Sequence, residues 1–204
     1  MRGRRSLGPS KLGPYGLAIV VLSMTALSFG IAPPGHVVPA PPKKPLVVLQ
    51  TNLGDVTLEL WPDRAPRTAE GFVRLVKEGH YDGTIFHRVV REFMVQGGGY
   101  TAERAEKPVG TPVPLDPGAS NRRFTVAMAG EVGSEAATGQ FFINLIDNEF
   151  LDPGRRGHGF AVFGSVIDGR GVVARIADSP VQAVDGFPHL PVTPIVIRKA
   201  FVVP

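Results

Sequence analysis

The run Phe86-His87-Arg88-Val89-Val90-Arg91-Glu92-Phe93-Met94-Val95-Gln96-Gly97-Gly98 constrains this chain more than any other part of it. If Ile85 to Val89 is a strand, alternation sends Arg88 to the face opposite His87. The Phe93-Met94-Val95-Gln96 segment that follows then brings Phe93 and Met94 beside the arginine. A guanidinium among apolar side chains is costly unless it has partners, and Gln96 is the nearest residue in sequence that can hold it. The same residues also fit an exposed edge on which Arg88 and Arg91 make surface ion pairs, the ordinary fate of charged side chains.

At 204 residues, 43% of them hydrophobic, the chain can form one domain with a packed core and an appendage. It has no cysteine, which removes disulfides, thiol chemistry and thiolate metal sites. His36, His80, His87, His158 and His189 are dispersed, none three or four positions from another, so no helical metal pair is present and no cofactor is expected. The net charge of +4 suggests a nucleic-acid partner until it is divided by position. Residues 1–45 hold six of the 22 basic residues and none of the 18 acidic ones, which leaves 16 against 18 in the remainder, a net of −2. The basicity belongs to the N-terminal segment, and nucleic acid is not an expected partner.

That segment begins with Arg2, Arg4, Arg5 and Lys11 and continues through an uncharged stretch, Leu12 to Ala32, most apolar at Leu17 to Leu22. A positive start before an apolar run is how an export signal is built, so residues 1–32 are expected to be a signal peptide or an uncleaved signal anchor. Ala26-Leu27-Ser28 offers small residues for cleavage, whereas cuts after Ala32 or Ala40 would each precede a proline. Residues 33–45 contain six prolines and read as a semi-rigid spacer. Residues 46–204 are the expected globular domain, delivered outside the cytoplasm either free or tethered to the membrane.

Within it, Val47 to Thr51 and Val56 to Leu60 read as an opening hairpin. Pro66 starts a helix whose Ala69, Phe72, Val73 and Val76 form an apolar face before Gly79 ends it. Gly97-Gly98-Gly99 reads as a tight turn, and Thr101 to Ser120 as a surface loop. Arg123 to Met128, Gln140 to Leu145, Phe160 to Ile167 and Pro194 to Val203 are strand candidates. Gly171 to Asp178 is a second helix with Val172, Val173 and Ile176 inward. Many strands and two helices without regular alternation point to antiparallel β structure.

Phe-His-Arg, four residues, then Phe-Met-x-Gln-Gly-Gly resembles the signature of the cyclophilins, the peptidyl-prolyl cis-trans isomerases. Met128-Ala129, Gly139 to Asn144, Phe150-Leu151-Asp152 and Phe160 to Gly164 are similar to the rest of that family's pocket, in its order. The resemblance runs from about Leu46 to the C-terminus. It implies a closed eight-stranded antiparallel β-barrel capped by two α-helices, and proline-containing polypeptides as substrates. Nothing in the sequence suggests an obligate interface, so a monomer is expected. By the same resemblance Arg88 is the catalytic donor and Gln96 orients it. Phe93, Met94, Phe142 and Leu151 receive the proline ring, and Gln140 and the backbone of Ala129 contact the substrate chain. His87 is expected to be structural.

Three positions depart from the family pattern. Gly130 stands where an asparagine is usual. Phe150 replaces the tryptophan of cyclosporin-sensitive members and loses its indole N–H, which implies weak cyclosporin binding. Phe160 takes the place of a histidine and makes the rim more apolar. Phe150 and the Asp147 to Asp152 run are similar to the exported bacterial branch, which implies a periplasmic enzyme assisting the folding of exported proteins.

Overall fold

The computed structural model describes residues 44–130, 134–155 and 159–204. The expected signal segment, and all of the expected spacer but Lys44 and Pro45, lie outside the described residues, among which no helix is long and apolar enough to cross a membrane.

Strands β1 (Leu46–Thr51) and β2 (Gly54–Leu60) form the expected hairpin. Thr51 ties its turn, donating from Oγ1 to the Gly54 carbonyl at 2.6 Å and accepting from the Leu53 N–H at 3.0 Å. Helix α1 (Pro66–Lys77) follows, with proline at its first turn, where a missing N–H costs nothing. Gly79, at φ +70°, lies just past its end. Its inward face is Thr68, Ala69, Phe72, Leu75 and Val76, and Val73 only flanks the core. Leu75 takes the expected place of Val73 because 3.6 residues per turn put it on the same side as Phe72 and Val76.

The chain continues through β3 (Thr84–Val90), β4 (Met94–Thr101), β5 (Val113–Pro114), β6 (Thr125–Met128), β7 (Ala136–Ala137) and β8 (Phe141–Asn144). A 3-10 turn at Glu149–Leu151 precedes β9 (Val162–Asp168) and helix α2 (Arg170–Ala177). Val172, Val173 and Ile176 of α2 are buried, as expected. The chain ends with β10 (Val181–Val184), β11 (Phe187–Pro191) and β12 (Ile197–Val202).

Eight strands make one antiparallel sheet in the order β12-β1-β2-β9-β6-β8-β4-β3. The expected closed barrel is nearly closed. Between β3 and β12 there is no ladder, only the Ile85–Val196 bridge and hydrogen bonds from Gly83 N–H to Ile197 O (2.8 Å) and from Phe86 N–H to Ile195 O (2.9 Å). On its other side the chain is held to the β1 turn: Val196 gives its N–H to Asn52 Oδ1 (2.9 Å) and accepts the Asn52 N–H at its carbonyl (3.1 Å).

Two more expectations change. The glycine run 97–99 is no turn but the middle of β4, where Gly98 (φ +88°) accompanies register shifts against β3. A Cβ on Gly98 would stand 2.8 Å from the Tyr81 ring, and one on Gly99 would stand 2.5 Å from Gln140 Cγ, so close approach is what requires these glycines. The 101–120 segment is anchored, because β5 pairs with β7 and Val113 is fully buried. Hairpin β10–β11 had no counterpart in the sequence reading.

Alternation along four strands sorts neighbouring residues to opposite faces. Val95, Val126, Met128, Phe141 and Phe163 point into the barrel core, while Met94, Ala127, Phe142 and Val162 form a second apolar cluster with Leu151 on the other face. In the core Phe72 stands on three rings, Tyr81 at 4.9 Å, Phe141 at 5.7 Å and Phe163 at 4.8 Å between centroids.

Asp116 caps α1 from a distance, since the residue before the helix, Ala65, has no side chain that can do so. Its carboxylate accepts from the Thr68 N–H (3.0 Å) and from Arg67 Nε (2.7 Å). Burial works to raise the Asp116 carboxyl, but hydrogen bonds from Thr68 and Arg67 outweigh it and hold the group below its ordinary value. Asp116→Asn should cost about 1–3 kcal/mol of stability at neutral pH. A depressed carboxylate contributes fully above its unfolded pKa, about 3.9, and the contribution disappears as pH falls through the folded value. Urea unfolding of both proteins from pH 7 to pH 3 checks this, and the gap between them should narrow below about pH 4.

Candidate active site

Met94, Phe142 and Leu151 of the second apolar cluster form the floor of a cavity of about 410 Å³, with Ala127 and Val162 packed beneath them. Met94 and Phe142 come from the neighbouring strands β4 and β8, where Phe142 is paired with Gln96, and Leu151 from the 3-10 turn. Phe142 meets Phe160 edge to face at 5.4 Å, and Phe93, at the β3–β4 turn, lines the same cavity.

Arg88 reaches this cavity from β3, half-buried. Its Nη1 donates to Gln96 Oε1 at 3.4 Å, and its guanidinium lies 5.9 Å from the Phe93 ring centroid. No described carboxylate pairs with it, while Arg91 is exposed and paired with Asp178 at 3.1 Å. The two arginines therefore have opposite surroundings. Burial lowers the Arg88 guanidinium from its ordinary value, and it stays charged at neutral pH.

Gln96 donates in turn from Nε2 to Gln140 Oε1 at 2.9 Å. His87 points away from the cavity and is buried against Tyr100 (4.8 Å) and Phe187 (6.2 Å), both edge to face. Burial, aided by the Arg88 charge and opposed by the Ile85 backbone and the Gln140 side chain, lowers its pKa to about 4, so the ring is neutral. Its Nδ1 has no hydrogen-bond partner.

Of the eleven residues expected at the site, ten line the cavity: Arg88, Phe93, Met94, Gln96, Ala129, Gly130, Gln140, Phe142, Leu151 and Phe160. Phe150 does not. It is 45% exposed and stacks on Phe93 at 5.7 Å and 21°, because the 3-10 turn that aims Leu151 inward turns its neighbour out. Thr138 lines the cavity and was not anticipated, since nothing in a Thr-Gly pair marks it in sequence. Gly130 leaves ordinary van der Waals room, with Ala137 Cβ 3.5 Å from where its own Cβ would be.

Behind the site runs a polar chain the sequence did not reveal. Asn148 Nδ2 donates to the Phe93 carbonyl (2.9 Å) and to Asn144 Oδ1 (2.8 Å), and Asn144 Nδ2 donates to Asn121 Oδ1 at 3.2 Å. Asp152 then accepts from the Asn121 backbone N–H at 2.7 Å and from Ser120 Oγ at 2.5 Å. The three asparagines are fully buried, so this chain fixes the turn bearing Phe93 against the turn bearing Leu151.

Comparison with known proteins agrees with this arrangement. The family described as cyclophilin type peptidyl-prolyl cis-trans isomerase/CLD matches residues 46–202. Peptidyl-prolyl cis-trans isomerase A of Dickeya dadantii is 40% identical, over 91% of this chain and 94% of its own. Peptidyl-prolyl cis-trans isomerase B of Escherichia coli is 40% identical, over 64% of this chain and 83% of its own. Among solved structures, a Cryptosporidium parvum cyclophilin type peptidyl-prolyl cis-trans isomerase, crystallised in the presence of the dipeptide Ala-Pro, superposes with a TM-score of 0.62. That match has 24% identity and covers 78% of this chain and 99% of the other. A half-buried arginine beside an apolar cavity on the outer face of a nearly closed barrel, with a family match spanning that whole barrel, leads to one conclusion: this chain belongs to the cyclophilin-type peptidyl-prolyl cis-trans isomerases.

Proposed function

We propose that this isomerase acts on proline-containing polypeptides exported from the cytoplasm, assisting their folding in the periplasm, with Arg88 as its catalytic donor. The observation that carries the donor role is the Arg88 guanidinium, held over the cavity without a described carboxylate and with only a long contact to Gln96. Rotation about an X-Pro bond breaks no bond. It must cross a barrier of roughly 18–20 kcal/mol set by the double-bond character of the amide. In the twisted state the prolyl nitrogen regains a lone pair that accepts a hydrogen bond. A donor there binds that state better than either planar form, and this difference is the catalysis.

The other roles follow from position. Met94, Phe142 and Leu151, with Phe93 at the side, hold the proline ring. Phe160 extends the apolar rim, and Phe150 supports Phe93 from behind. The Ala129 N–H is already given to the Gln140 carbonyl at 2.8 Å, so Ala129 meets a substrate chain through its carbonyl, beside Gly130. The dipeptide used with the Cryptosporidium parvum relative supports an X-Pro ligand. Export is supported by the basic start and apolar run of residues 1–32, and the enzyme acts as a monomer, released or tethered by that segment.

Two measurements test this reading. The purified chain should accelerate the cis-to-trans relaxation of a short X-Pro peptide; retained peptide binding without acceleration would instead make it a binding module. Expressed from residue 1 in a Gram-negative host, the protein should be recovered outside the cytoplasm, and a version lacking residues 1–32 should stay within it. Retention of both forms in the cytoplasm would overturn the export reading.

A further inference from the structure

The hydrogen bonds around Arg88 are unequal, and the inequality shows which residue fixes the site. Arginine has only donors, so Gln96 must turn its carbonyl oxygen toward Arg88 and its NH2 group away. That contact is long, 3.4 Å, and weak as a restraint on the amide. On the other side of Gln96 the bond to Gln140 Oε1 is 2.9 Å. If Gln140 were absent, the Gln96 amide could rotate by half a turn and set its NH2 group against the guanidinium, donor facing donor.

Gln140 reaches this place because β4 carries no side chain beneath it. A Cβ on Gly99 would lie 2.5 Å from Gln140 Cγ, 2.6 Å from Cδ and 2.8 Å from Nε2, so the whole end of the glutamine lies across the Gly99 backbone. Gly99 itself does not line the cavity. We infer that Gln140 is a positioning residue: seated on Gly99, it locks the Gln96 amide in the one orientation that presents an acceptor to Arg88. This rests on the reading of Arg88 as the donor, and it gives Gln140 a role beyond contact with the substrate chain.

The test uses the full chain and three variants, Gln140→Met, Gly99→Ala and Gln96→Met, each first checked for folding by circular dichroism. The atoms that a Gly99→Ala methyl would meet belong to a flexible side chain, so the strand stands and Gln140 is displaced. Gln140→Met and Gly99→Ala should each lower kcat by roughly tenfold, the mark of a lost transition-state geometry, beyond any rise in KM from the lost contact with the substrate chain. Combining Gln140→Met with Gln96→Met should cost no more than the worse single change, because both break one chain.

A raised KM with unchanged kcat in Gln140→Met, together with normal kcat in Gly99→Ala, would overturn the inference and leave Gln140 a substrate contact. Additive losses in the double variant would overturn it as well. Arg88→Ala separates the two levels. If that variant kept full activity, the donor reading would fail and this inference with it. If it lost activity while Gly99→Ala kept it, only the inference would fail.

Discussion

Arg88→Ala should reduce kcat for an X-Pro peptide by about 10²–10³-fold, equivalent to ~2.7–4 kcal/mol, which is what removal of one preorganised donor typically costs. The loss should fall on kcat more than on KM, because the apolar floor of Met94, Phe142 and Leu151 still holds the proline ring. Stability should change little, since the side chain is half-buried, makes one long hydrogen bond and pairs with no described carboxylate. Removing a half-buried charge that lacks a described counter-ion also relieves some desolvation. A stopped-flow isomerisation assay alongside thermal unfolding checks both halves. A variant that unfolded before it lost activity would show Arg88 to be structural.

Phe72→Ala should have the opposite signature, with a large loss of stability and, while the protein remains folded, little loss of turnover. Phe72 is fully buried, and its three aromatic neighbours belong to the turn after α1, to β8 and to β9. Truncating such a residue costs ~3–5 kcal/mol through lost burial and an unfilled cavity. For a protein of this size that is a fall in Tm on the order of 10 °C, measurable by calorimetry. A loss under ~1 kcal/mol would mean that neighbouring rings collapse into the space and that the core is less rigid than its packing implies.

Much of the site was legible because its chemistry is unusual in sequence. An arginine followed at close range by Phe93, Met94 and Gln96 left few arrangements open, and alternation alone placed His87 on the far face, where it packs on Tyr100 and Phe187. The strands with a buried face were legible for the same reason. What was hidden depended on partners distant in the chain. The glycines at 97–99 signal close approach as readily as a turn, and only the presence of Tyr81 and Gln140 beside them decides between the two.

The gap between β3 and β12 has no local sign in either strand, and the strand end beside it is held by Asn52, a turn residue 144 positions away. Hairpin β10–β11 carried a local signal, Asp185-Gly186 with Gly186 at φ +77°, but its exposed strand lacks the alternating pattern that marks the others. Phe150 shows the limit of residue-by-residue correspondence. Its place in the sequence was right for a pocket, and a single 3-10 turn sent it to the back of Phe93.

The division of β4, β6, β8 and β9 into an inner and an outer column has an evolutionary reading. Phe141 and Phe142 are adjacent in the chain, yet one is held to the shape of the barrel and the other to the shape of the cavity. Selection can therefore retune the outer column for a new peptide sequence without reopening the inner one. A library randomised at outer positions that line the cavity, such as Met94 and Phe142, would explore recognition, while the same diversity one residue away, at Val95 and Phe141, would mostly return chains that do not fold.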